Sequence, residues 1–272
     1  MLPFFSVLLL YFNHSFEWFF YGEKMKQVHI VLQGKGGVGK SLVALVLAQY
    51  LKDKGNEVIC FDADPVNQTL YKFPSLNVKL INLLKEDGFI DNSSFDSIFD
   101  ELLKSSEDTQ FVIDNGSGSF IPLISYLKEN EVQEVINTIG AELVFHIPII
   151  GGGSTDDTSH GLMNILTRFN YQSVIWINEF FGQVIKNEKS FENWSVIKNN
   201  QHKIKGLIFL KKYSDSTFGK DISKMTTNNL TFDEVDNSSD FPLMSKQRIK
   251  TFKKNIYQQL DPILGGTNYE KT

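Results

Sequence analysis

The run Val28-His29-Ile30-Val31-Leu32-Gln33-Gly34-Lys35-Gly36-Gly37-Val38-Gly39-Lys40-Ser41-Leu42 decides the fold of this chain. Its first five residues have the length and β-branched content of a buried strand. From Leu42 onward, Val43, Leu45, Val46, Leu47 and Leu51 set an apolar pattern at helical spacing, stopped by Gly55-Asn56. Between strand and helix, Gly34 to Ser41 satisfies G-x-x-x-x-G-K-[ST]. Glycines let successive backbone N–H groups converge on phosphate oxygens, and the helix N-terminus adds a favourable dipole. Lys40 is placed to neutralise the β- and γ-phosphates, and the Ser41 hydroxyl to ligate Mg²⁺. An ordinary glycine turn is the competing reading, and the strand before the loop and long helix after it argue against that.

Outward from the loop, strand and helix patterns alternate, which predicts an α/β fold with a mostly parallel twisted sheet and helices on both faces: a three-layer P-loop NTPase architecture. Strands are expected at Val58–Phe61, Asn77–Ile81, Gln110–Ile113, Leu143–Ile150, Ser173–Ile177 and Ile204–Leu210. Helices are expected at Phe95–Leu103 with Asp91 or Ser93 near the cap, and at Ile121–Ile136 with a break near Asn130. A further helix runs to about Phe169, capped by Thr155 or Asp156, and a last one spans Leu243–Leu260. Ser214 to Asp240 is rich in Ser, Thr, Asn and Asp and reads as loop with short helices. No repeat or long linker appears, so 25–272 reads as one domain.

With 272 residues, 42% hydrophobic and 22% charged, the chain can bury a sizeable core. A net charge of −5 excludes a global attraction to nucleic acid or anionic lipid, leaving only local patches. The single cysteine, Cys60, excludes an intrachain disulfide framework and a cysteine zinc cluster. The five histidines show no metal-ligand spacing; His29 and His146 read as strand or core residues. All this fits a cytoplasmic protein.

Residues 1–24 stand apart. Leu2 to Phe12 is almost wholly apolar and Trp18-Phe19-Phe20-Tyr21 follows, but Asn13, His14 and Glu17 interrupt the run. That leaves too little continuous length for a comfortable membrane span, and there is no basic n-region or small-residue cleavage site. The preferred reading starts the native protein at Met25. A tail contacting the inner membrane through residues 2–21 and a packed extension are the alternatives.

Lys35 inside the glycine run resembles the extra lysine of the deviant Walker A loop in ParA/MinD-type ATPases. The resemblance implies that Lys35 crosses a dimer interface to the partner's nucleotide, a role an arginine finger fills elsewhere; Arg168 and Arg248 are the only arginines here. Asp62-Ala63-Asp64-Pro65 resembles the family's D-x-D-P segment. It implies that Asp64 orients the attacking water and that Asp62 lies nearer the metal. Asp114 ends its strand as a Walker B aspartate does, where it can hold Mg²⁺ through water. Asn115-Gly116-Ser117-Gly118 follows as a switch-like segment without the family's usual proline. Asn178 resembles the family's base-contacting residue, and the absence of N-K-x-D favours adenine over guanine.

The nucleotide-binding set is therefore Gly34, Lys35, Gly36, Gly37, Val38, Gly39, Lys40, Ser41, Leu42 and Asn178. Lys35, Lys40 and Asp64 form the catalytic set, and Ser41, Asp62 and Asp114 the metal set. The blocks Ile30–Ser41, Asp62–Asn67, Val112–Gly116, Pro122–Leu127 and Trp176–Gly182 are similar to those of TraL-type conjugal transfer proteins of plasmids. This implies a slow ATPase using ATP and Mg²⁺ as a dimer switch, acting with conjugation or mobile-element proteins. A ParA-type partition protein binding DNA non-specifically and a non-hydrolysing nucleotide-binding adaptor are the alternatives. Lys246, Arg248, Lys250, Lys253 and Lys254 crowd the last helix and suit DNA contact; a solvated basic face on a packed helix is the preferred reading.

Overall fold

The computed structural model describes residues 25–186 and 188–265. The expectations for residues 1–24 lie outside this range.

Seven strands form one sheet: β1 (Gln27–Val31), β2 (Val58–Asp62), β3 (Lys79–Leu80), β4 (Gln110–Asp114), β5 (Glu142–Ile150), β6 (Gln172–Asn178) and, after a small hairpin β7 (Ile185–Lys186) and β8 (Lys189–Ser190), β9 (Ile204–Leu210). Their order is β3-β2-β4-β1-β5-β6-β9, and every neighbouring pair is parallel. Parallel pairing needs crossovers, and α1 (Lys40–Asp53), α2 (Asp96–Lys104), α3 (Phe120–Glu129), α4 (Val132–Thr138), α5 (Thr155–Arg168) and α6 (Ser195–Asn199) lie in them, while α7 (Lys220–Thr227), α8 (Phe232–Asn237) and α9 (Leu243–Leu264) follow the last strand.

Each strand's period-two alternation divides its side chains between two cores. Val28, Ile30, Phe111, Ile113, Phe145 and Ile175 meet the helices from α2 to α6 on one face. Val31, Cys60, Val112, Val144, Val174, Trp176 and Ile208 meet α1 and α7 to α9 on the other. Helix α1 is buried nearly all round, matching its broad apolar surface. Gln259 of α9 covers the open edge of β9: its Oε1 accepts the Phe209 amide at 2.8 Å, and its Nε2 donates back to the Phe209 carbonyl at 3.2 Å. Satisfying those edge groups blunts further strand addition.

The expected elements are present with boundary shifts of a few residues. The long helix expected over Ile121–Ile136 breaks at Glu131, which takes a left-handed φ of 48°. Thr155 and Asp156 do not cap α5. A 3-10 turn over Gly152–Ser154 leads into it, and the Thr155 hydroxyl donates to the Gly152 carbonyl. Helix α9 continues past Leu260 through Pro262, because proline in a last turn keeps helical φ and forfeits only one hydrogen bond. The β7–β8 hairpin and α6 were not anticipated; both are too short to leave a periodic signal.

A buried polar chain crosses the sheet under α1. Trp176 Nε1 donates to His146 Nδ1 at 3.0 Å, His146 Nε2 lies 3.0 Å from His29 Nδ1, and His29 Nε2 lies 3.3 Å from Gln110 Oε1. One tautomer assignment satisfies every link: each neutral histidine carries its proton on Nε2 and donates in the direction of Gln110. Both imidazoles are fully buried; burial lowers His29 to about 4 and holds His146 well below its usual value.

Candidate functional site

The register of the three central strands gathers the site. Val31 at the end of β1 lies opposite Asp114 at the end of β4, and Asp114 lies opposite Asp62 at the end of β2. The chain leaving β1 therefore emerges beside two carboxylates and turns through the glycine loop into α1.

Gln33 anchors the loop at its start. It is fully buried, its Nε2 donates to the Pro148 and Thr158 carbonyls at 3.1 Å each, and its Oε1 accepts the Gly34 amide at 2.9 Å. Gly161 of α5 makes room for it, since a Cβ there would lie 1.9 Å from Gln33 Oε1. At its other end Gly39 takes a φ of 94°, open to glycine and costly for other residues. Gly36 and Gly37 between these anchors are exposed, which leaves their amides open to a ligand, while the Gly34 amide is held by Gln33.

Lys40 is buried, and its Nζ donates to the Lys35 carbonyl across the loop at 3.0 Å. Burial depresses its pKa below the ordinary lysine value, and Asp114 and Asp64 pull it back up. Asp114 is 1% exposed, with one oxygen, Oδ2, lacking any partner. Burial pushes its carboxyl up to about 7; a hydrogen bond with Ser41 lowers it, Asp62 raises it and Lys40 lowers it again. An unpartnered buried carboxylate oxygen beside a serine hydroxyl fits the protein side of an Mg²⁺ site, which needs one or two oxygen ligands and completes its shell with phosphate and water. Leu42, one residue beyond Ser41, packs against the α1 core.

The two aspartates after β2 differ. Asp62 spends both oxygens on backbone amides, from Asp64 at 3.0 Å and Tyr71 at 2.9 Å, so it shapes the loop that carries Asp64. Burial holds its carboxyl above the usual range in spite of those amides. Asp64 is partly exposed, accepting the Val66 and Asn67 amides on Oδ1 and the Asn67 side chain on Oδ2. Burial raises it, but these hydrogen bonds and Lys40 prevail, so its carboxyl sits below the usual range. Gly116 lies against it: a Cβ there would come 2.6 Å from Asp64 Cγ and 2.9 Å from its Cα. Ser119 ties the two segments together, its Oγ lying 2.8 Å from both the Ala63 carbonyl and Asn115 Oδ1.

Two expected residues are engaged elsewhere. Lys35 pairs with Asp157 of α5 in the same chain, Nζ to Oδ2 at 2.8 Å. Asn178 is nearly buried; its Nδ2 donates to the Val38 carbonyl at 3.1 Å and its Oδ1 accepts the Phe180 amide at 3.1 Å, so it braces the loop against β6. Four of the five basic residues of α9 have partners within the chain, Lys246 the Asp236 carbonyl, Arg248 Asp221, Lys250 Asp236, and Lys253 both Asp53 and Asp233, while Lys254 is exposed. That is the packed-helix reading of this segment.

Gln33, Ser119 and Asp157 were not singled out from sequence. Gln33 carried a signal, a polar residue closing an apolar strand; the others showed only the composition of turns and helix starts. Among the described residues no helix is long and apolar enough to cross a membrane.

The chain matches the family described as CobQ/CobB/MinD/ParA nucleotide binding domain over residues 29–250. It is similar to two proteins of Escherichia coli named Protein TraL, 36% and 35% identical over 239 residues, each match covering 87% of this chain and 98% of the relative. Among solved structures it is similar to the MinD cell division protein of Aquifex aeolicus, at 16% identity and a TM-score of 0.47, covering 85% of this chain and 97% of that one.

Proposed function

The chain belongs to the CobQ/CobB/MinD/ParA nucleotide-binding family, and from that premise we propose that it binds ATP with Mg²⁺, hydrolyses it slowly and uses the nucleotide state to join and release two copies of itself during plasmid conjugal transfer. The observation that carries this reading is the convergence of Lys40, Ser41, Asp64 and Asp114 on one side of the loop, with a buried Asp114 oxygen left unpartnered. The TraL relatives and the matching sequence blocks support the biological setting, in which the protein would act in the cytoplasm with conjugation proteins as partners.

In this mechanism the exposed loop amides and Lys40 hold the phosphates. Ser41 and Asp114 would hold Mg²⁺, with Asp62 behind them shaping the strand end; the ion, when bound, offsets phosphate charge. Asp64 stays ionised and partly open, so it can accept a hydrogen bond from a water aimed at the γ-phosphate. Gly116 and Ser119 keep that carboxylate in place. Lys35 leaves Asp157 to meet the phosphates of the second copy.

Light scattering and phosphate release test this together. Wild type should dimerise with ATP and release phosphate slowly; Asp64→Ala should dimerise and release none. Lys35→Ala should do neither. A Lys35→Ala protein that dimerises and hydrolyses as wild type sinks the trans-lysine mechanism, and a wild type that binds ATP without ever releasing phosphate makes the protein an adaptor instead.

A further inference from the structure

Strand β1 stops pairing before its neighbour ends. The Leu32 amide bonds the His146 carbonyl of β5 at 3.1 Å, yet β5 runs on to Ile150, paired there with β6. Bonds in a parallel ladder recur at every second residue, so two more would come next between β1 and β5. One would run from the amide of residue 148 to the Leu32 carbonyl, but Pro148 has no N–H to give. The other would run from the Gly34 amide to the Pro148 carbonyl. Both of those groups are present, and each bonds something else.

The side chain of Gln33 stands between them. Its Oε1 accepts the Gly34 amide at 2.9 Å, and its Nε2 donates to the Pro148 carbonyl at 3.1 Å. A primary amide carries the donor and acceptor of a peptide group, so it fills the gap as an inserted peptide unit would. Its second N–H goes to the Thr158 carbonyl of α5, also at 3.1 Å. Both donors are thereby used, as full burial of Gln33 requires. Gly161 supplies the space, because a Cβ there would collide with Gln33 Oε1.

The insertion bears on phosphate because the far side of the loop is already fixed. Asn178 of β6 holds the Val38 carbonyl at 3.1 Å. Gly34 is seated against α3, where a Cβ on it would lie 3.1 Å from Phe120 Cδ1. If Gly34 bonded Pro148 directly, β1 would lengthen and Gly34 would leave that seat. The run from Gly34 to Val38 would then reach the same end from a start drawn toward β5, and the open amides of Gly36 and Gly37 would be re-aimed.

We infer that Gln33 is a positioning residue that keeps β1 from pairing onward with β5, and so shapes the phosphate loop before phosphate arrives. The inference rests on the nucleotide-binding reading above and deepens it. Gln33 has no free donor to offer a phosphate, so it acts on affinity through the loop amides, by preorganising them.

Calorimetric titration of the full chain with Mg-ATP and with magnesium tripolyphosphate tests this. Gln33→Met fills the same space without an amide, and both affinities should fall about tenfold or more, the cost of ordering the loop at the moment of binding. KM for ATP should rise in step while kcat at saturating ATP stays within about twofold, because Asp64 and Asp114 are untouched. Gly161→Ala attacks the same bonds from the α5 side and should lose affinity similarly, so a folding failure in one variant leaves the other to decide. In Gln33→Ala/Gly161→Ala the added methyl meets no amide, and the loss should be no greater than in Gln33→Ala alone. Unchanged affinity in Gln33→Met overturns the inference and leaves the phosphate site standing, with Gln33 a packing residue only. A fall in kcat that matches the fall in affinity overturns it too, as do additive losses in the double variant. A wild type that binds neither probe removes the nucleotide reading itself.

Discussion

Lys35 Nζ lies 2.8 Å from Asp157 Oδ2 on the first turn of α5, so the lysine assigned to the second copy's nucleotide is held within its own chain. Both side chains are well exposed, at 41% and 56%, so water and salt screen the pair and releasing it costs little. Asp157→Asn should therefore keep wild-type thermal stability and strengthen ATP-dependent dimerisation by about two- to fivefold at low salt. The gain should shrink as salt rises, and sedimentation velocity at two ionic strengths measures both effects.

Lys40 faces a different balance. Burial lowers its pKa while Asp114 and Asp64 hold the proton on, so its charge is available to a phosphate. Lys40→Gln should keep the fold and lose roughly 10- to 100-fold or more in ATP affinity, the range expected for losing a charged hydrogen bond. Calorimetric titration against wild type reads this directly.

Gly116→Ala would drive a Cβ into Asp64, 2.6 Å from its Cγ. Relief requires moving that backbone, so the variant should be destabilised by about 1–3 kcal/mol, as overpacking usually is. Phosphate release should drop sharply while nucleotide affinity, set by the loop and Lys40, changes little. Loss of both in parallel would show that Gly116 supports the whole site and not Asp64 in particular.

The His29–His146 pair makes stability depend on acid. Both histidines are neutral in the fold, with burial lowering His29 to about 4 and holding His146 well below its usual value; Lys205 adds to the lowering of both, while Gln110 and Glu142 raise His29. A histidine with a depressed folded pKa takes up protons more readily when unfolded. Its contribution is complete above the unfolded pKa of about 6.5 and is lost as pH falls toward the folded value, at up to roughly 1.4 kcal/mol per pH unit for each group. Urea midpoints should be level from pH 7 to 8 and fall steadily from pH 6 to 5, with Trp176 fluorescence as reporter. His146→Leu should flatten that slope, and it should cost about 1–3 kcal/mol at pH 7.5 because it strands Trp176 Nε1 and His29 Nδ1.

Much of the site could be read along the chain because its chemistry is local. A strand, a glycine loop and a helix occupy adjacent residues, so the phosphate cradle of Gly34 to Ser41 needs no distant partner to be recognised. Asp62 and Asp114 close short apolar runs, and in a parallel sheet such residues sit together at the carboxyl edge once their strands align. The alternation of strand and helix patterns likewise predicted helices on both faces of a mostly parallel sheet.

What tertiary structure alone decided is lateral. Lys35 meets Asp157, Asn178 meets Val38 and His29 meets His146 only because particular strands become neighbours in a particular register, and no local pattern records which. The same holds for Gln33, whose amide spans β5 and α5, and for the α9 cations, whose acidic partners come from α1, α7 and α8. Sequence by itself determined a phosphate loop with carboxylates at the following strand ends. Packing determined which of those groups stay open to a ligand and which are already committed, since each hydrogen bond made inside the fold uses a donor or acceptor that a nucleotide would otherwise take.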